Sequence, residues 1–176
     1  MQTPLRITLT LLAALAPLRA DYPRVGVQGT VNIPMIDLKD YVDSKPGPGI
    51  GVHATWDLSD GHVARLRADY SAYPQATFAT VKRKASDLSL GADYLFFIAG
   101  KPEGLYITTG VAGVRWSFDT TGGTSAVPGT TTKVSLSGGV GYQWNDSVGT
   151  EVRWTHCRVQ SDFKADALQL GVTVRF

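Results

Sequence analysis

The carboxy-terminal nine residues constrain the fold more than any other stretch. Leu168, Leu170, Val172, Val174 and Phe176 alternate with Gln169, Gly171, Thr173 and Arg175. Successive side chains of a β-strand point to opposite faces, so this segment has one apolar face and one small or polar face. A soluble sandwich turns the apolar face inward. A transmembrane β-barrel turns it outward to lipid and lines its interior with the polar face. Three earlier segments repeat the design: Pro48, Ile50, Val52, Ala54, Trp56; Leu88, Leu90, Ala92, Tyr94, Phe96; and Leu136, Gly138, Val140, Tyr142, Trp144. Every copy has glycine as its fourth residue (Gly51, Gly91, Gly139, Gly171) and ends in an aromatic on the apolar face. The copies start 32 to 48 residues apart, a spacing that suits one up-and-down hairpin per repeat.

Residues 1–20 have the form of a cleaved export signal. Arg6 supplies a basic start, residues 7–18 are largely apolar, and Ala20 offers a small residue before the cut. The run is too short for a membrane helix, which needs about 20 apolar residues. Cleavage leaves residues 21–176 as one domain. Loss of Arg6 and Arg19 leaves 15 basic against 15 acidic residues, so the charge gives no reason to expect a nucleic-acid partner. The single cysteine, Cys157, excludes an intrachain disulfide.

The chain reads as eight strands. The first carries Val25, Val27, Gly29, Val31 and Ile33 on one face, and a polar loop is expected over residues 37–47. The first repeat forms the second strand. A three-residue turn at Ser59-Asp60-Gly61 keeps the two faces consistent and pairs Thr55 with Arg65, His53 with Arg67, and Gly51 with Asp69. The third strand turns Leu66 and Tyr70 outward and Arg65, Arg67 and Asp69 inward. A long connection over residues 73–86 follows, then the second repeat with Asp93 inward. The fifth strand begins at Leu105; its phase is lost near Gly113, where a bulge would account for the break. A Thr- and Gly-rich loop is expected over residues 119–132. The third repeat then turns through Asn145-Asp146-Ser147, pairing Gly141 with Glu151 and Gly139 with Arg153. The seventh strand turns Trp154 and His156 outward, and a connection over residues 159–164 leads to the last strand. Connections alternate long and short, as in outer-membrane barrels with long external loops and short periplasmic turns.

On these residues the chain resembles the small outer-membrane β-barrel family, the OmpA/OmpX-like transmembrane domain. The resemblance implies an all-β fold, an eight-stranded antiparallel up-and-down transmembrane barrel, and location in the bacterial outer membrane. It implies contact with outer-membrane lipid and lipopolysaccharide. It also implies that Phe176 forms part of the signal read by the barrel-assembly machinery. Trp56, Phe96, Trp144 and Phe176 are expected to form a periplasmic aromatic girdle, with Tyr70, Trp116 and Trp154 as candidates for the upper one. A single barrel of this kind is expected to be a monomer.

Six inward charges, Arg65, Arg67, Asp69, Asp93, Glu151 and Arg153, are expected to form a structural ionic network that fills the interior. An eight-stranded barrel is just wide enough to be filled by side chains. Inward Gly51, Gly139 and Gly141 make room for long partners. The expected function is that of a non-enzymatic membrane-structural or surface-interaction protein, with a narrow channel for small solutes and a lipid A-modifying enzyme as alternatives. Catalysis would need a partnered histidine. The expected registers place Leu136 and Leu168 beside outward His156, neither of them a nucleophile or an acid. His53, His62 and Cys157 are scattered and suggest no metal site, and no cofactor is expected. Lys82-Arg83-Lys84 is a solvated charge run that could meet anionic glycolipid.

Overall fold

A computed structural model describes residues 23–123, 127 and 129–176. The expected export segment lies outside them. Eight long strands form the wall: β1 (Arg24–Met35), β2 (Gly47–Ser59), β3 (His62–Phe78), β4 (Val81–Phe97), β5 (Gly104–Thr121), β6 (Thr130–Gln143), β7 (Val148–Gln160) and β9 (Asp166–Arg175). A two-residue strand, β8 (Phe163–Lys164), pairs with the end of β7, and a short helix, α1 (Ile36–Tyr41), follows β1. Each long strand pairs antiparallel with its neighbour in sequence, and β9 closes onto β1. Within the ring each long strand is paired on both sides, as a hydrocarbon environment requires, and one-sided stretches occur at strand tips, among them β3 beyond Ser71 and β5 beyond Ser117.

The faces follow the alternation of the sequence. Ile50, Leu90, Val134 and Val172 are exposed on the outside, while Gln28, His53, Arg65, Ser137 and Thr173 are buried inside. Among the described residues, twenty-nine large apolar side chains are exposed. Leaving each half-exposed in water would cost about 1 kcal/mol, and the sum would exceed the roughly 5–15 kcal/mol of net stability that a domain has. The exterior is therefore built for lipid rather than water.

The pairs Gly51–Asp69, His53–Arg67 and Thr55–Arg65 form across β2 and β3, and Gly139–Arg153 and Gly141–Glu151 form across β6 and β7. The first turn reaches its register differently from the three-residue expectation. Ser59 pairs with His62 around Asp60-Gly61, both at positive φ, and Leu58 is the extra residue of a bulge. The bulge absorbs the residue that parity requires.

The two ends of the barrel are unlike. The connections over residues 60–61, 98–103 and 144–147 and both ends of the described wall lie at one end. At the other, β3, β4 and β5 run on well past their neighbours. Residues 73–86 are therefore not a long loop: β3 continues to Phe78 and turns tightly into β4 at Val81. Nor does β5 bulge at Gly113, since its pairing with β4 and β6 runs through that residue unbroken. Part of the expected 119–132 loop is strand as well, with β5 reaching Thr121 and β6 starting at Thr130.

Polarity, not phase, changes along β5. Tyr70, Leu88, Arg115 and Thr132 lie in one row across β3 to β6. Below that row apolar side chains face out. Above it, Lys84, Ser117 and Asp119 face out, while Tyr73, Ala85, Trp116 and Phe118 are buried inside. The same inversion occurs on β7, where Arg158 faces out and Cys157 and Val159 face in. A wall that leaves lipid and enters water must exchange its faces in this way. Trp116 consequently sits in the interior and is no part of an upper girdle, whereas Tyr70 and Trp154 are exposed on the outer wall.

Residues 37–47 are also corrected. They carry most of α1, whose Leu38 and Tyr41 are buried together with Val42 at the top of the barrel. Three apolar side chains in an otherwise polar stretch suffice to fold it down over an apolar opening.

Candidate functional site

The described interior is filled in two layers. The lower layer is ionic. Arg65 donates from Nη1 and Nη2 to the two carboxylate oxygens of Glu151, at 2.8 and 3.2 Å, and from Nε to Asp93 at 2.8 Å. In the ring of eight strands β3 and β7 stand opposite each other, so the Arg65–Glu151 pair is a strut across the full bore. Arg67 donates from Nε to both Asp93 oxygens, at 3.1 and 3.0 Å, and from Nη1 to Asp69. Arg153 donates from Nε to Glu151 at 2.7 Å and from Nη2 to Gln28 on β1 at 3.2 Å. Tyr106 adds a hydroxyl donor to Glu151 at 2.9 Å.

Three guanidinium groups meet three carboxylates, and all six residues are buried or nearly so. Burying an ion costs several kcal/mol unless geometry and further hydrogen bonds offset it. The bidentate Arg65–Glu151 contact supplies that geometry, and the Arg67 Nε–H is shared between the two Asp93 oxygens. Glycines give the space. A Cβ at Gly51 or at Gly110 would collide with the carboxylate of Asp69 or Asp93, and one at Gly141 with the ring of Tyr106. The contributions of Gly110 and Tyr106 are not visible in the sequence, because both depend on the β4–β5–β6 register.

The upper layer is apolar. Tyr41 of α1 meets Phe118 edge-on at 5.3 Å between ring centres, and Phe118 stacks on Trp116 at 5.4 Å. Tyr73, Cys157, Val159 and Phe163 complete the plug. The Tyr41 hydroxyl donates to the Asp119 carbonyl at 3.3 Å and lies 3.0 Å from the Thr120 hydroxyl. Between the layers lies a cavity of about 20 Å³ lined by Arg67, Asp87, Ser89, Trp116 and Cys157 among others. It has room for about one water molecule.

On the outer wall at the turn end, Phe96, Trp144 and Phe176 are exposed and Trp56 is half-exposed. The Phe176 amide donates to the Val25 carbonyl at 2.8 Å, which ties the last residue into the closing seam. Trp144 donates from its indole to the Thr150 hydroxyl at 3.1 Å.

His156 is placed differently from the sequence expectation. Leu136 faces it from β6, but on the other side Leu168 pairs with Trp154, which puts Asp166 beside His156. Nδ1 of His156 lies 2.8 and 3.1 Å from the two Asp166 carboxylate oxygens, and that carboxylate is almost fully buried. The two-residue error arises because β7 runs to Gln160 and the chain turns back by Phe163, with a register shift between Arg158 and Gln160. Of the run Lys82-Arg83-Lys84, only the lysines are solvated. Arg83 lies over the rings of Phe78 and Tyr41, at 5.1 and 5.4 Å from their centres. Such cation–π contacts hold the β3–β4 tip against α1.

Comparison with known proteins agrees with this architecture. Residues 7–176 match the family described as outer membrane protein beta-barrel domain. No curated protein sequence matches the chain significantly. Among solved structures, Ail, the attachment invasion locus protein of Yersinia pestis, in complex with the heparin analogue sucrose octasulfate, superposes with a TM-score of 0.59 at 11% identity, covering 88% of this chain and 97% of Ail. Neisserial surface protein A gives 0.58 at 19% identity, covering 89% of this chain and 99% of the other. The outer membrane enzyme PagL gives 0.55 at 14% identity, covering 85% and 98%. At these identities the likeness is one of fold, and a fold of this kind hosts unrelated functions. With its sequence matched from residue 7 to its last residue and its strands closed into a barrel with a lipid-facing exterior, the chain belongs to the outer membrane protein beta-barrel domain family of bacterial outer-membrane proteins.

Proposed function

We propose that the chain is exported with cleavage after Ala20, inserts through the barrel-assembly machinery with Phe176 as its signal, and sits in the outer membrane as a monomer with α1 outside. There it serves as a non-enzymatic membrane-structural or surface-interaction protein whose lumen is blocked. The observation that carries this reading is the Arg65–Glu151 strut with the apolar plug above it: two independent layers obstruct the bore. The wall projecting above the lipid band, with Lys82 and Lys84 turned outward, supports contact with anionic surface molecules. The Ail complex with sucrose octasulfate is a precedent for a sulfated ligand on this fold. Purified protein in planar bilayers is expected to show no stable discrete openings. Their appearance would replace this reading with that of a narrow channel. Amino-terminal sequencing of the mature protein is expected to begin at Asp21.

A second reading, hydrolysis of a lipid ester at the outer wall, has one observation in its favour. His156 carries the acid partner that a general base needs, at 2.8 Å, and an enzyme of the outer membrane shares the fold. The register sets Leu136 rather than a serine opposite His156, so water would have to be the nucleophile. Lipid A mass spectra are expected to be unchanged on overexpression. A lost acyl chain that is restored in a His156→Ala variant would establish the enzymatic reading instead.

A further inference from the structure

We infer that Arg158 and Lys164, at the top of the outer wall formed by β7, β8 and β9, seat the phosphate of an anionic lipid whose acyl chains run down that wall. Arg158 and Lys164 are direct cross-strand partners, both exposed and on the outward face. Like charges placed directly opposite each other repel, so this pair weakens its own strand pairing unless an anion lies between. Neither side chain forms an ion pair among the described residues. Arg158 donates from Nη2 to the Ser161 carbonyl at 2.9 Å, and it is the backbone amide of Lys164, not its ammonium, that donates to Asp37 at 2.8 Å.

The carboxylate next below them cannot serve as their counter-ion. Asp166 stands in the following outward position of the register, but it is buried against His156. Asp162, in the adjoining turn, meets the Ser161 hydroxyl at 3.5 Å. Asp37 and Asp162 lie nearby, but among the described residues neither they nor Asp166 form an ion pair with the two side chains.

Position decides what the anion is. On β7 the outward row descends from Arg158 through His156 and Trp154 to Val152, and on β9 from Asp166 through Leu168 and Leu170 to Val172. Trp154, stacked on His156 at 5.6 Å, marks the level where an aromatic ring lies between lipid and water. A ligand held here has its charged group in the polar layer, the His156–Asp166 pair next below it, and an apolar wall from Trp154 and Leu168 downward. That is the shape of a phosphorylated lipid, and a free phosphate would gain nothing from the wall below. The inference deepens the surface-interaction reading. Its test does not depend on which end of the barrel is outside, because a nanodisc presents the same lipid in both leaflets.

The test uses the full mature protein in nanodiscs containing bis-phosphorylated lipid A or its dephosphorylated form. Lipid retained on the protein is counted by native mass spectrometry. The wild type is expected to retain the phosphorylated form preferentially. An Arg158→Gln/Lys164→Gln variant is expected to lose that preference about tenfold, in line with two cations near a charged surface. Arg24→Gln/Lys101→Gln, at the turn end of the barrel where each cation is already paired with an acid, is expected to keep it. Folding of each variant is verified by its shifted gel mobility before boiling. Three results would overturn the inference: no preference in the wild type, an equal loss in the turn-end control, or displacement of the lipid by millimolar inorganic phosphate. The last would assign the site to a free anion.

Discussion

Replacing Arg65 with methionine is expected to cost about 3–5 kcal/mol of stability, read as a lowered urea midpoint for unfolding from detergent or liposomes. The loss is that of a stranded charge more than of a lost contact. Glu151 accepts from Arg65 twice, and without that partner a carboxylate on the far wall keeps only Arg153 and the Tyr106 hydroxyl. Glu151→Gln alone is expected to be costly for the converse reason, because Arg65 then faces Asp93 with one negative charge fewer nearby. The double variant Arg65→Met/Glu151→Gln removes one charge of each sign and leaves Arg67 and Arg153 against Asp69 and Asp93. It is expected to be more stable than either single variant, since neighbours in one network do not add. If Arg65→Met costs less than about 1 kcal/mol, the interior is wet at that level and the strut does not seal it.

How legible this barrel was in its sequence depended on which solvent each residue meets. Between the short turns and the row through Tyr70 and Arg115, one rule holds: apolar residues face lipid. The alternation of residues 48–56, 88–96, 136–144 and 168–176 could therefore be read directly, and parity alone paired Gly51 with Asp69 and Gly139 with Arg153. Above that row the rule reverses, and a reading that assumes lipid outside loses the phase at Gly113 and sends Trp116 to the wrong face. Leu38, Tyr41 and Val42 were lost in a stretch that is polar on average, since three buried side chains scarcely alter its composition. The His156–Asp166 pair was missed for another reason. Its register depends on the tight return between Gln160 and Phe163, where a β-bulge shifts the count and no glycine or proline marks the turn. Register within a hairpin can be read when the turn length is known, and an unmarked bulge removes that knowledge.

The polarity inversion predicts that neighbouring levels of the wall respond to mutation in opposite ways. Phe118 faces inward above the lipid band, packed on Tyr41, Trp116 and Phe163. Phe118→Ala is expected to cost about 3–5 kcal/mol, the range for an aromatic removed from a close-packed core. Ser117, its outward neighbour, meets water, and Ser117→Arg is expected to change stability by less than about 0.5 kcal/mol. Further down the wall the outward position becomes the sensitive one. Val140 faces lipid on β6, and Val140→Arg is expected to cost about 2–4 kcal/mol if it lies near the bilayer midplane. The inward neighbour of Val140 cannot serve as a matched control. A Cβ at Gly139 would meet the Val152 carbonyl, so any residue there strains the backbone whatever its charge. Ser137, inward and two residues away, is the better choice: Ser137→Ala removes one hydroxyl and is expected to cost about 1 kcal/mol or less. If Ser117→Arg proves as damaging as Val140→Arg, lipid covers the wall up to its tip, and the apolar packing of Trp116 and Phe118 has some cause other than a passage from lipid into water. If Phe118→Ala is harmless, the upper plug does not hold the loop end together, and closure of the bore rests on the ionic layer alone.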